Sequence, residues 1–229
     1  MPRPWRDKLT GPFESARMDN SKISHASPAQ VAVSLALGMA LVVASGIAPH
    51  NRVDWLLENA LPVALLLALL AGWRYVRLSP LAYGSILLLL AIHELGAHYT
   101  YAKVPYDEWL RHVTGQSLNG ALGWERNQYD RLVHLSYGLL FYLPVRELLG
   151  RCTPLRGFWL ATLALSLILA TSASYELIEW IGGQYLGKDK AKAFLATQRD
   201  PWDAQKDMAL ALAGACASEV IRALAAFRR

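Results

Sequence analysis

Residues 80–102 read PLAYGSILLLLAIHELGAHYTYA, an uncharged apolar run that ends in a glutamate flanked by histidines. As a helix rising 1.5 Å per residue it would be about 34 Å long, enough to cross a hydrocarbon core of about 30 Å. The stretch therefore reads as a membrane-spanning helix. Its end poses the functional question, because Glu94, His93 and His98 are residue types that a purely structural span avoids.

Outward from this stretch, comparable apolar blocks occupy 28–48, 56–76, 130–149, 156–181 and 207–226. The chain is 54% hydrophobic and keeps a positive mean hydropathy, +0.21, although 18% of its residues are charged, so the apolar residues are gathered into blocks. Only helices and closed barrels satisfy their backbone in lipid, and blocks of this length are helical. The expected fold class is all-α, a polytopic membrane helix bundle with about six transmembrane helices. Two domains of organisation follow: a polar N-terminal tail, 1–27, and a single transmembrane helical domain, 28–226. The tail lacks an apolar core, and the block after it is too long and too late for a cleaved signal peptide, so the first span is expected to stay as an anchor.

The loops after the first, second and fourth spans are short and predict antiparallel hairpins. In the long segment 103–129, Pro105 is expected to open a short helix carrying Trp109, Leu110 and Val113 on one side, which suits the membrane surface. The segment 182–206, with Tyr185, Leu186, Phe194 and Leu195 among lysines, reads as a second interfacial element. The eight tryptophans fall mostly at span ends, as an aromatic belt does.

The net charge of +5 does not indicate nucleic acid, because the basic residues form no stripe and no aromatic stacking motif accompanies them. The expected partners are membrane lipids and a small-molecule or lipid substrate that the sequence does not name; nor does it set the oligomeric state. Cys152, in a short inter-helix loop, and Cys216, deep in the last apolar block, make no metal pattern or disulfide framework. With the N-terminus inside, thirteen of the 23 Lys and Arg fall on the cytoplasmic side, and most of the acids fall on the other. Both termini are expected to be cytoplasmic.

The polar residues follow helical spacing. Glu94, His98 and Tyr101 stand at i, i+4 and i+7 at the end of the third span, with His93 offset by one. The fourth span begins YDRLVHLSY, which puts Asp130, His134 and Tyr137 on one face. The fifth ends SASYELIEW, with Ser172, Glu176 and Glu179 aligned and Tyr175 alongside. The sixth is entered through RDPWDAQKDM, where Asp200, Asp203 and Asp207 repeat at i, i+3 and i+7. Because successive spans alternate direction, all four clusters must lie at the same side of the membrane. Carboxylates at such spacing repel unless one keeps a proton or a cation sits between them. Imidazole and carboxylate oxygens suit zinc, manganese or iron, and oxygen-rich sets also suit magnesium or calcium.

Structural explanations compete for some of these residues. Asp200 before Pro201 and Asp203 is ordinary helix-start chemistry, and Asp130 can also cap a helix. Glu176 and Glu179 can face the headgroup layer, with Trp180 as an interfacial anchor. His25, His50 and His112 match no ligand spacing and read as solvated. HELGAH is not the zinc-protease helix, because its histidines are five residues apart instead of four.

Through IHELGAHYTYAKVPY, YDRLVHLSYG, SYELIEW and RDPWDAQKDM, the chain resembles the YjdF-type family of bacterial inner-membrane proteins. The resemblance runs from about residue 30 to about residue 220 and implies a multi-pass location in the bacterial inner membrane. The chain is also distantly similar to VanZ-type membrane proteins, a group associated with glycopeptide-antibiotic resistance. That likeness implies matching positions at Asp130, His134, Glu176 and Asp203 or Asp207. Neither resemblance implies a defined reaction.

Three functions fit these residues. The first is a metal-dependent enzyme acting on a lipid or cell-envelope precursor at the outer face. In that reading His93, His98, His134, Glu176, Glu179 and Asp207 are candidate ligands to a divalent metal ion, and Glu94 is a further one. Glu94, Tyr101, Arg131, Tyr137 and Asp203 are candidates for catalytic roles, with Arg131 or Arg199 holding a phosphate. The second is an ion- or proton-coupled transporter using the same groups, and the third is a membrane scaffold or binding protein with a polar cap.

Overall fold

The computed structural model describes residues 24–185 and 200–227, and among them the regular structure is entirely helical. The interfacial reading of 182–206 falls largely outside the described residues, as do Arg199 and most of the polar tail. Helix α1 (Pro28–Ser45) starts on Ser27, whose hydroxyl accepts from the Gln30 backbone while the Gln30 side chain returns the bond, with Pro28 inside the first turn. Helices α2 (Arg52–Glu58) and α3 (Ala60–Gly72) follow, then α4 (Pro80–Tyr99), again opened by a serine cap and a proline. A single 3₁₀ turn (Tyr101–Lys103) leads to α5 (Tyr106–Thr114) and α6 (Leu118–Leu122). Helices α7 (Tyr129–Cys152), α8 (Gly157–Tyr185) and α9 (Asp203–Phe227) complete the chain.

Among the described residues, five units are long and apolar enough to cross a membrane: α1, α2 with α3, α4, α8 and α9. Helix α7 is the sixth crossing. It is more polar, with Asp130, Arg131, Arg146, Glu147 and Arg151 near its ends, but it packs against α4, α8 and α9 and so needs less lipid-facing surface. Its ends match those of α4: Ser79 bonds Glu147 at one end, and the Tyr129 hydroxyl donates to the Ile92 carbonyl at 2.8 Å at the other. A helix paired end to end with a membrane span covers the same thickness. Exposed Val33, Leu37, Val43, Leu67, Leu88 and Val220 leave the outer surface of the bundle apolar.

The second crossing differs from the expected continuous helix at 56–76. It begins at Arg52 and breaks at Asn59. Pro62 explains the break: it has no N–H to give the carbonyl four residues back and its ring crowds that carbonyl, which belongs to Glu58.

Helices α7 and α9 run parallel and nearly touch. A Cβ on Gly138 would lie 1.8 Å from the Ala211 carbonyl oxygen, and one on Gly214 would lie 2.2 Å from that of Leu135. Small residues at both positions let the backbones approach, as in other close crossings of membrane helices. This contact brings the start of α9 to the start of α7.

Candidate functional site

The clusters at the ends of α4 and α8 and the starts of α7 and α9 do lie at one end of the bundle. They do not form one ring. The deepest group joins α7, α8 and α9. One ligand atom each from Asp130, His134 and Asp207 lie within 4.8 Å of one another, and all three residues are buried. The His134 Nε2 is 3.7 Å from Asp130 Oδ1 and 3.5 Å from Glu176 Oε1. Oδ1 of Asp207 and Oε1 of Glu176 are buried without a hydrogen-bond partner among the described residues. Such atoms are costly to leave bare in a low-dielectric interior.

Toward the rim, the next turn of α9 is charge-paired. Arg126 lies 2.6 Å from Asp203 and 3.5 Å from Asp200, and Arg131 also pairs with both aspartates. Lys206 reaches Asp200 at 2.6 Å, and the Trp202 backbone N–H donates to the same carboxylate at 3.0 Å. These donors, led by Lys206, hold the Asp200 carboxyl well below the usual range. Arg131 thus meets the aspartates through Nη2, while its Nε is buried without a hydrogen-bond partner among the described residues. The helix-start reading of Asp200 agrees with its bond to Trp202. Asp130 is no cap: α7 starts before it, and Asn127 accepts from the Tyr129 N–H instead.

A second group joins α2, α4 and α8. The Tyr101 hydroxyl donates to His93 Nδ1 at 2.6 Å, and His93 Nε2 donates to the Glu58 carbonyl at 3.2 Å. That carbonyl is the one freed by Pro62. The Tyr175 hydroxyl donates to Glu58 Oε2 at 2.7 Å. Both ring nitrogens of His93 are engaged in this chain of bonds, and His93 lies outside the group of converging ligand atoms among the described residues. Glu58 escaped the spacing argument, although an acid four residues before a proline inside an apolar block was a signal for it.

Glu94 and His98 face another way. Ser45 of α1 donates to Glu94 Oε2 at 2.5 Å, and His98 Nδ1 bonds the Ser45 carbonyl at 2.8 Å. Tyr101 does not continue their face. The helix ends at Tyr99, Thr100 takes φ 55°, and the ring of Tyr101 folds back over Gly96, where a Cβ would meet it at 2.8 Å. Tyr137 donates to Thr171 at 2.5 Å. Asp130, His134, Tyr137, Tyr175, Glu179 and Glu58 all border one cavity of about 300 Å³.

These features define a polytopic membrane protein with an acid- and histidine-rich site at one end of its bundle. The chain belongs to the family described as Predicted membrane protein (DUF2238), whose model matches residues 30–228. It is 40% identical over 184 residues to the inner membrane protein YjdF of Escherichia coli (strain K12), covering 80% of this chain and 84% of that one. No solved structure matches it.

Proposed function

We propose that the protein is a multi-pass inner-membrane enzyme that uses one divalent cation, held by Asp130, His134 and Asp207 with Glu176 beside them, to act on a lipid or cell-envelope precursor. The observation that carries this reading is the convergence of two carboxylates and an imidazole in a buried site where Asp207 keeps an unpartnered oxygen. The donor set suits zinc, manganese or iron. A cation bound there would polarise a phosphoryl or acyl oxygen, or ready a water for attack. His134 would present Nε2, and the arginine-paired Asp200 and Asp203 would hold the start of α9 in place. We place the site at the outer face and both termini in the cytoplasm, as the Lys and Arg bias supports.

Purified protein incubated with bacterial lipid extract should generate a product that needs added metal and is absent with Asp207→Asn. If proteoliposomes instead dissipate an ion gradient without turnover, the enzyme reading fails in favour of transport. A cysteine at Asn119 should react with a membrane-impermeant reagent from the periplasm; reaction only from the cytoplasm would reverse the orientation.

A further inference from the structure

The cavity beside the site is polar at one end and apolar over the rest of its length. Asp130, His134, Glu58 and Glu179 border the polar end. Along α4 its wall passes from His93 to Ile86, and along α7 from Asp130 to Phe141, distances of roughly 10 and 16 Å at 1.5 Å per residue. Leu66, Ile86 and Phe141 close the far end, with Leu66 and Ile86 buried and Phe141 stacked on Tyr137. At the side, Leu61 borders the cavity and is 50% exposed, so the wall there meets lipid.

Protein interiors seldom leave a space of this size open, and apolar cavities do not hold water unless polar partners line them. A volume of about 300 Å³ lies at the small end of ligand pockets, so a whole two-chain lipid does not fit.

We propose that this cavity binds a single aliphatic chain, reached from the membrane past Leu61, with the attached headgroup held at Asp130 and His134. Leu66, Ile86 and Phe141 then set the longest chain accepted. As a statement about substrate class this rests on the enzymatic reading of the adjacent site, because Asp130 and His134 belong to both. Chain binding itself does not require the cation.

The test uses full-length protein in phosphatidylcholine nanodiscs and saturated 1-alkanols carrying a terminal diazirine, whose uncharged hydroxyl meets no repulsion from the acids at the polar end. Photolabelling should be saturable and should map to the segments around Leu66, Ile86 and Phe141. Unlabelled alkanols, compared at equal mole fraction in the bilayer, should compete with a potency that holds on a plateau up to the chain length that fills the cavity and falls beyond it. Leu61→Trp, at an exposed position that tolerates bulk, and Leu89→Trp, within the wall, should each cut labelling at least tenfold in protein of unchanged helix content. Phe141→Ala should move the plateau to longer chains. Labelling should persist in protein stripped of metal by a chelator, which separates failure of the cation reading from failure of this one. Labelling confined to lipid-facing positions such as Leu88 and Val220, indifferent to chain length and to both tryptophan variants, would overturn the proposal.

Discussion

The two ends of the bundle treat buried acids in opposite ways. At the end where α7 finishes, Glu147 accepts from the Ser79 backbone N–H at 2.8 Å and from its hydroxyl at 2.5 Å, with Arg151 at 3.4 Å. Glu219 is bound by Arg222, lies 3.3 Å from Arg146 and accepts from the Tyr142 hydroxyl at 2.8 Å. Each acid there has an arginine beside it. At the opposite end, Asp130, Glu176 and Asp207 have His134 as their neighbour in or near ion-pair range among the described residues. The arginines of that end are spent one turn nearer the rim, on Asp200 and Asp203. Paired acids of the first kind are explained by holding helices together. Acids of the second kind cost the fold something unless one keeps a proton or, as proposed above, a cation sits among them.

This contrast can be broken at its foundation by separating α7 from α9. Gly138→Leu forces a side chain into the Ala211 carbonyl, so it should prevent assembly of a folded, monodisperse protein or lower stability by more than about 3 kcal/mol, beyond ordinary overpacking. Gly84→Ala, at a helical position with open space around it, should be neutral or slightly stabilising. Size-exclusion profiles and thermal unfolding in detergent separate the two outcomes.

Next in size is the loss of one partner from each end. Glu219→Ala leaves Arg146 and Arg222 without their acid and should cost about 3 kcal/mol, since breaking a partly buried pair strands a charge. Asp207→Asn in metal-free protein should change stability by no more than about 1 kcal/mol, because Oδ1 of Asp207 has no hydrogen-bond partner to lose among the described residues. Equal losses from the two variants would erase the distinction between the ends.

The smallest effect concerns acids outside the spans. Asp107 accepts from the Asn119 backbone at 2.9 Å and from Ser117 at 2.8 Å, which lowers its pKa from 3.8. Asp200 is lowered from the same value by Lys206 and the Trp202 N–H. A carboxyl whose folded pKa lies below its unfolded one adds stability in full above about pH 4, and loses it as pH falls through the folded value. Unfolding followed from pH 7 downward should therefore show no contribution lost by either residue until below about pH 4. Asp107→Asn should flatten part of that acid limb and nothing above it.

Much of this arrangement was legible in the residues. Apolar block length accounts for five of the crossings, while the more polar α7 stands as the sixth through its end-to-end pairing with α4, and alternation of direction puts the four polar clusters at one end. Helical phase aligned Asp130 with His134 on the fourth span alone; that Glu176 and Asp207 stand beside them follows from how α7, α8 and α9 pack, and in the sequence only the resemblance to VanZ-type proteins linked these positions. Helical phase failed where the helix did. Tyr101 leaves the face of Glu94 and His98 because Thr100 turns the backbone out of the helix. Glu58 joins the site because Pro62 frees its carbonyl for His93, a tertiary consequence that no single-helix spacing contains. The separation of α4 residues into a group facing α1 and a group facing α2 likewise depends on which neighbour each side meets.

The central claim is that the unpaired end binds a cation through Asp130, His134 and Asp207. Its most direct test is metal stoichiometry of protein purified in detergent without chelators, stripped, and reloaded with zinc or manganese. The account predicts about one ion per chain in the wild type and in Glu219→Gln, with the ion lost from both His134→Ala and Asp207→Asn. Folded wild-type protein that takes up no ion, or that binds one undiminished in both site variants, would contradict it.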